Sequence, residues 1–144
     1  MRTLSVRLGA LIGATLMVVG QPTRADETVD VSLFDHGMES MKMVLNTEHV
    51  KAGRVTFNVT NKSQDLVHEF LVFKSDKPIE ALPYKGDEKE VNEDAIEAHS
   101  EIEDIDPGKS GTLTVKLESG SYILLCNKPG HFKAGMVLAL TVTP

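Results

Sequence analysis

The segment Cys126-Asn127-Lys128-Pro129-Gly130-His131-Phe132-Lys133-Ala134-Gly135-Met136 places a thiol, an imidazole and a thioether in the order C-x4-H-x4-M. It follows one apolar run, Tyr122–Cys126, and leads into another, Met136–Val142, with Pro129-Gly130 as a tight turn between them. A loop of this kind between two strands brings its three donors towards one point. Thiolate and thioether are soft ligands, and together with imidazole they select copper among the common metals. Two histidines, one cysteine and a weak axial methionine form the ligand set of electron-transfer copper. Structural zinc, in contrast, rarely uses a thioether.

The loop supplies only one of the two histidines. His68 is the candidate for the other, because it sits in Val67-His68-Glu69-Phe70-Leu71-Val72-Phe73, where burying an imidazole without a partner would be costly. His36, His49 and His99 lie in polar stretches and need only solvation. Cys126 is the single cysteine of the chain. In an oxidising compartment such a thiol has no intramolecular partner, so it is buried and inert, used between chains, or held by a metal.

The elements around these residues are strand-like. Val29–Leu33, Arg54–Thr60 and Thr112–Leu117 alternate apolar and polar residues, the period of half-buried antiparallel strands. Val67–Phe73, Tyr122–Cys126 and Met136–Val142 are more continuously apolar and suit central strands. Turn residues separate the runs at Lys51–Gly53, Asn61–Asp65, Pro107–Gly111 and Glu118–Gly120. The expectation is one all-β Greek-key sandwich. Ser75–Asp106 breaks the pattern with 12 acidic and 3 basic residues. It reads as an insertion on one edge of the sandwich. Asn92–Ala98 within it is compatible with a short helix capped by Asn92.

Residues 1–25 have the layout of a cleaved secretory signal. Arg2 and Arg7 precede the apolar run Leu8–Gly20, and Thr23-Arg24-Ala25 offers a cleavage site. The expected mature chain is 26–144, one domain, periplasmic, with no membrane span. It carries 12 basic and 21 acidic residues, a net charge of −9. Such a protein is a poor partner for nucleic acid or anionic membranes and is suited to a basic partner.

The copper-type loop, the lone cysteine, the V-H-E-F strand and the β patterning together resemble a small bacterial cupredoxin of the plastocyanin/azurin superfamily. The C-x4-H-x4-M spacing, with Gly130 before His131 and Gly135 before Met136, is similar to auracyanin and rusticyanin. The resemblance spans Val29 to Thr143 apart from the acidic segment. It implies a cupredoxin-like sandwich binding one type 1 copper ion, with His68, Cys126, His131 and Met136 as ligands. It also implies a monomeric one-electron carrier, not an enzyme, that meets a cytochrome-like redox partner. On this reading His131 is exposed at its edge, with Phe132 and Ala134 as an apolar rim. Two residues depart from the family pattern. Glu69 stands where a small polar residue is common, and Val67 where azurin-like members have glycine, so no carbonyl ligand is expected. The alternative function is copper handling by the Met-rich stretch His36, Met38, Met41 and Met43, since clustered thioethers and an imidazole suit Cu(I). Against this, Met41 and Met43 alternate with Lys42 and could simply line the core.

Overall fold

The computed structural model describes residues 26–96 and 98–144; the expected signal segment lies outside them. Two sheets face each other. The first has the order β2(Met41–Leu45), β1(Glu27–Asp35), β4(Gly53–Asn61), β9(Ser110–Leu117). The second has the order β3(His49–Lys51), β11(Val137–Thr143), β10(Gly120–Leu125), β5(His68–Lys74), β8(His99–Ile105). The expected sandwich is present, and its sheets are mixed: β1 runs parallel to β4 and β3 parallel to β11. Alternation along one strand reports only that one face is buried, so the direction of its neighbour could not be read from it.

The alternating strands behave as their period requires. In β4, Val55, Phe57 and Val59 enter the core while Arg54 and Asn58 stay exposed. They meet Val29, Val31 and Leu33 of β1 and, from the other sheet, Phe70, Val72, Leu124, Leu140 and Val142. Phe57 and Phe70 pack with ring centroids 5.1 Å apart. Met41 and Met43 also belong to this core.

β5 and β10 are buried on both faces, which explains their unbroken apolar sequence. Their second face carries Leu71, Phe73, Ile123 and Leu125, and it is covered by Leu82, Val91 and Phe132. Leu82 and Val91 come from the acidic segment, and Phe132 from the loop between β10 and β11. The acidic segment is less an appendage than expected: its last part is β8, an edge strand paired with β5. The stretch before it forms a small hairpin, β6(Tyr84–Lys85) and β7(Glu90–Val91), flanked by two short 3-10 turns at Ile79–Ala81 and Glu93–Ala95. The expected helix over 92–98 is thus a single turn. Asn92 precedes it in extended backbone, and its side chain makes no capping hydrogen bond.

Candidate metal centre

Three of the four residues singled out from the sequence sit at strand ends, and His131 lies in the loop between two of them. His68 opens β5; Cys126 follows β10 directly, and Met136 directly precedes β11. Because β10 pairs with both β5 and β11, the ends of three adjacent strands meet at one edge of the second sheet. Backbone hydrogen bonds close the loop into successive turns: His131 N–H to Lys128 O (2.9 Å), Ala134 N–H to Gly130 O (3.0 Å) and Gly135 N–H to Phe132 O (3.1 Å). The Met136 amide donates to His131 O and the Cys126 amide to Met136 O, both at 3.1 Å. The last bond ties the first and last donors of the loop together. Gly135 has φ +108°, and a Cβ there would lie 2.9 Å from the Met41 carbonyl oxygen. Only glycine lets the loop lie this close to β2.

His68, Cys126 and His131 converge. Nδ1 of His68 is 3.1 Å from Nδ1 of His131, and the Cys126 Sγ is 3.3 Å from His131 Nδ1 and 3.8 Å from His68 Nδ1. All three residues are buried, as is Met136. Ligands held at about 2.0–2.3 Å from one ion in a trigonal plane stand roughly 3.5–3.8 Å apart. The observed separations are close to that, and one sulfur with two nitrogens is a donor set that suits copper. Burial pushes the Cys126 thiol up to about 12, against the pull of the Glu69 and Lys128 amides. Burial, with the neighbouring His68 adding to it, takes His131 down to about 4. His68 is also lowered by burial, opposed by Asp35. Metal binding must therefore displace a proton from the sulfur, while the imidazoles are already in the neutral form a metal needs.

Glu69, the residue that departs from the family pattern, has two roles here. The β5–β8 ladder shifts register between His68 and Phe70. At this irregularity the Glu69 amide is directed at Cys126 Sγ, 3.3 Å away. Its carboxylate pairs with Lys128 Nζ at 3.6 Å, and Lys128 also binds Asp104. Burial raises the Glu69 carboxyl, and Lys128 opposes the rise. The copper loop is thus tied to the His68 strand through Glu69.

Sequence reading missed the clamp on the other side of the loop. Asn127 accepts from the Val91 amide (2.7 Å) and donates to Val91 O (2.9 Å) and Glu93 Oε1 (2.7 Å). The Gly130 amide donates to Lys89 O at 2.8 Å, and Lys89 itself sits at φ +61°. Phe132 packs on Tyr84 with centroids 5.9 Å apart, and Lys133 Nζ stands 4.7 Å from the Tyr84 ring centroid. The expected rim is corrected accordingly. Phe132 is buried, 6% exposed, because the acidic segment covers it, and His131 is only 5% exposed. Asn127 next to the cysteine was the one available signal, since a polar residue directly after a buried ligand needs partners.

Of the other histidines, His36 and His49 are exposed as expected. His99 is partly buried, with Nε2 3.7 Å from Glu93 and 3.8 Å from Glu101. Met41 and Met43 face the core, whereas Met38 is 52% exposed beside Gly130, whose Cβ position lies 3.0 Å from Met38 Cε. The four residues of the Met-rich stretch are therefore divided between core and surface.

Comparison with known proteins bears on this geometry directly. The description "Copper binding proteins, plastocyanin/azurin family" matches residues 31–143. The chain belongs to that family. Among solved structures, this cupredoxin is similar to reduced auracyanin from the photosynthetic bacterium Roseiflexus castenholzii, with 21% identity and TM-score 0.58 over 81% of this chain and 97% of the other. Auracyanin B is 22% identical with TM-score 0.59, covering 87% and 94%. Rusticyanin from Thiobacillus ferrooxidans is 20% identical with TM-score 0.58, covering 82% and 77%. At this identity the likeness establishes the fold. No curated protein sequence matches the chain. The family and the His68, Cys126, His131 group with Met136 together make this a copper protein with residues typical of a type 1 site.

Proposed function

We propose that this protein is an exported blue-copper electron carrier, with His68, Cys126 and His131 as the strong ligands and Met136 as the axial one. The observation that carries the reading is the buried convergence of Sγ and two Nδ1 atoms within 3.8 Å of one another at the ends of three paired strands. When bound, copper supplies a one-electron couple that side chains lack. The protein's part is to hold its donors still. The loop's turns, the Glu69 amide on the sulfur and the Asn127 clamp fix the ligand positions before and after an electron moves. Little reorganisation is then needed, which favours transfer over chemistry on a substrate. Burial of His68 and the near-burial of His131 keep water off the ligands. No substrate is implied, and the protein acts as a carrier, not an enzyme.

The apolar run after Arg2 and Arg7 supports export to the periplasm with a mature start at Asp26. The acidic segment supports a basic redox partner. Burial of Met41 and Met43 weighs against a copper-handling site built from His36, Met38, Met41 and Met43, because two of its three thioethers face the core. The experiment is an optical and EPR titration of the mature protein with Cu(II). One equivalent should give an intense visible band and a narrow copper hyperfine pattern, and Cys126→Ser should remove the band, which needs the copper–thiolate bond. A band that survives Cys126→Ser would overturn the assignment.

A further inference from the structure

His68 has a second partner on the side away from the other ligands. Its Nδ1 faces His131 and Cys126, while Nε2, at the opposite corner of the ring, lies 3.3 Å from Asp35 Oδ2. The His68 side chain is fully buried and that of Asp35 only 10% exposed, so water competes little for this contact. Asp35 is itself held. It ends β1, its Oδ1 accepts from the Gly37 amide at 3.1 Å, and Ser63 hydrogen-bonds the same carboxyl group. Both carboxyl oxygens thus face donors, Gly37 N–H at one and His68 Nε2 at the other, the setting of an ordinary ionised aspartate at neutral pH.

A carboxylate that accepts from the outer N–H of a metal-binding imidazole fixes the tautomer and the ring orientation, and it makes the inner nitrogen a stronger donor. It also places negative charge beside the ligand set in a poorly screened interior, where such charge favours the more positive oxidation state. We propose that Asp35 is a positioning residue for His68 that holds the Nε2–H tautomer and keeps the reduction potential of the centre low. The inference rests on the copper-carrier reading above. It assigns a role to a residue 33 positions upstream of His68, at the end of β1 just before the Met-rich stretch.

Two substitutions separate charge from hydrogen bonding. Asp35→Asn keeps the size and an acceptor but removes the charge; Asp35→Ala removes both. Glu39→Gln, an exposed acid on the same connection, controls for a general loss of negative charge. The readouts are the reduction potential of the copper-loaded protein and the 15N chemical shifts of His68 in the metal-free protein, where no metal on Nδ1 fixes the tautomer. Both Asp35 variants should keep the visible band. In Asp35→Asn the preference for Cu(II) over Cu(I) should fall at least tenfold, a rise of about 59 mV for a one-electron couple. Glu39→Gln should leave the potential unchanged. In Asp35→Ala the His68 nitrogen shifts should also move away from a single Nε2–H tautomer. Asp35→Asn is nearly isosteric, so it decides the matter even where Asp35→Ala folds poorly. A blue Asp35→Asn protein with the wild-type potential would overturn the proposal while leaving the copper site standing. A wild type that never turns blue would overturn the copper reading, and this proposal with it.

Discussion

The two regions that supply the candidate ligands are built on opposite plans. His68 stands on a strand with core on both faces, and its position follows from the ladder of β5 with β10 and from the residues packed around Phe70 and Leu71. Cys126, His131 and Met136 stand on or beside a loop that no ladder orders. There the position comes from the loop's own turns and from single hydrogen bonds to distant backbone, at Val91 and Lys89. The strand side is held by buried area, which is collective and tolerant of polar changes elsewhere. The loop side is held by a few directional contacts, each with a specific partner. Disturbing the strand should unfold the protein; disturbing the loop should leave it folded with a looser site.

The largest expected effect tests the strand side. Phe70→Ala removes a fully buried ring from the sheet interface, and a urea melt of the metal-free protein should show a loss of about 3–5 kcal/mol. A loss below about 1 kcal/mol would mean that the core does not set the position of His68.

On the loop side, Asn127→Ala removes three hydrogen bonds and leaves the buried Val91 backbone groups unpaired. About 2–3 kcal/mol should be lost, with the copper EPR spectrum broadened or split into more than one species. Gly135→Ala, at φ +108° and with its Cβ position 2.9 Å from Met41 O, should cost about 1–3 kcal/mol and disturb the same spectrum. If either loop variant lost stability with an unaltered spectrum, the contrast between the two regions would fail.

The acid–base balance of the metal-free protein gives a smaller effect with a definite sign. Buried His131 titrates at about 4 in the folded state against an ordinary 6.5, so the unfolded chain binds the proton first. Stability is complete above the unfolded value and is lost as pH falls from 6.5 towards 4. Cys126, raised from 9.0 to about 12, acts at the other end: the unfolded thiol ionises first, and stability falls as pH rises above 9. Urea melts at pH 4.5, 7.5 and 10.5 should place the maximum at 7.5. Copper should abolish the alkaline limb, because the bound sulfur is already deprotonated.

The smallest expected effect concerns the outer surface of the acidic cover. Neutralising Asp87, Glu88 and Asp94, all exposed, should change stability by less than about 0.5 kcal/mol. It should nevertheless flatten the salt dependence of electron exchange with a basic cytochrome, since exposed charges are screened within about 8 Å at physiological ionic strength. Glu93 is left intact because it anchors Asn127. An unchanged salt slope would assign the cover only the structural task of shielding the outer face of β5 and β10.

The sequence by itself determined the candidate ligand set and the strands that carry it. C-x4-H-x4-M is a local pattern, so the order of its donors follows from spacing alone. A histidine inside an apolar run stands out because burying it needs a partner. Alternation in β4 and continuous apolarity in β5 and β10 report burial on one face or two, and that much could be read without coordinates. What covers a face could not. The acidic segment reads as solvated surface because charge dominates its composition, yet Leu82 and Val91 within it close over Leu71, Leu125 and Phe132. Two apolar residues in a charged stretch have no periodicity to reveal them. The tertiary structure alone decided that Phe132 turns inward, that the Met-rich stretch divides between core and surface, and that Asp35 stands behind His68. Each depends on which distant segment arrives at a given face, and that is set by how the strands cross between the two sheets. Neighbours along the chain carry no record of it.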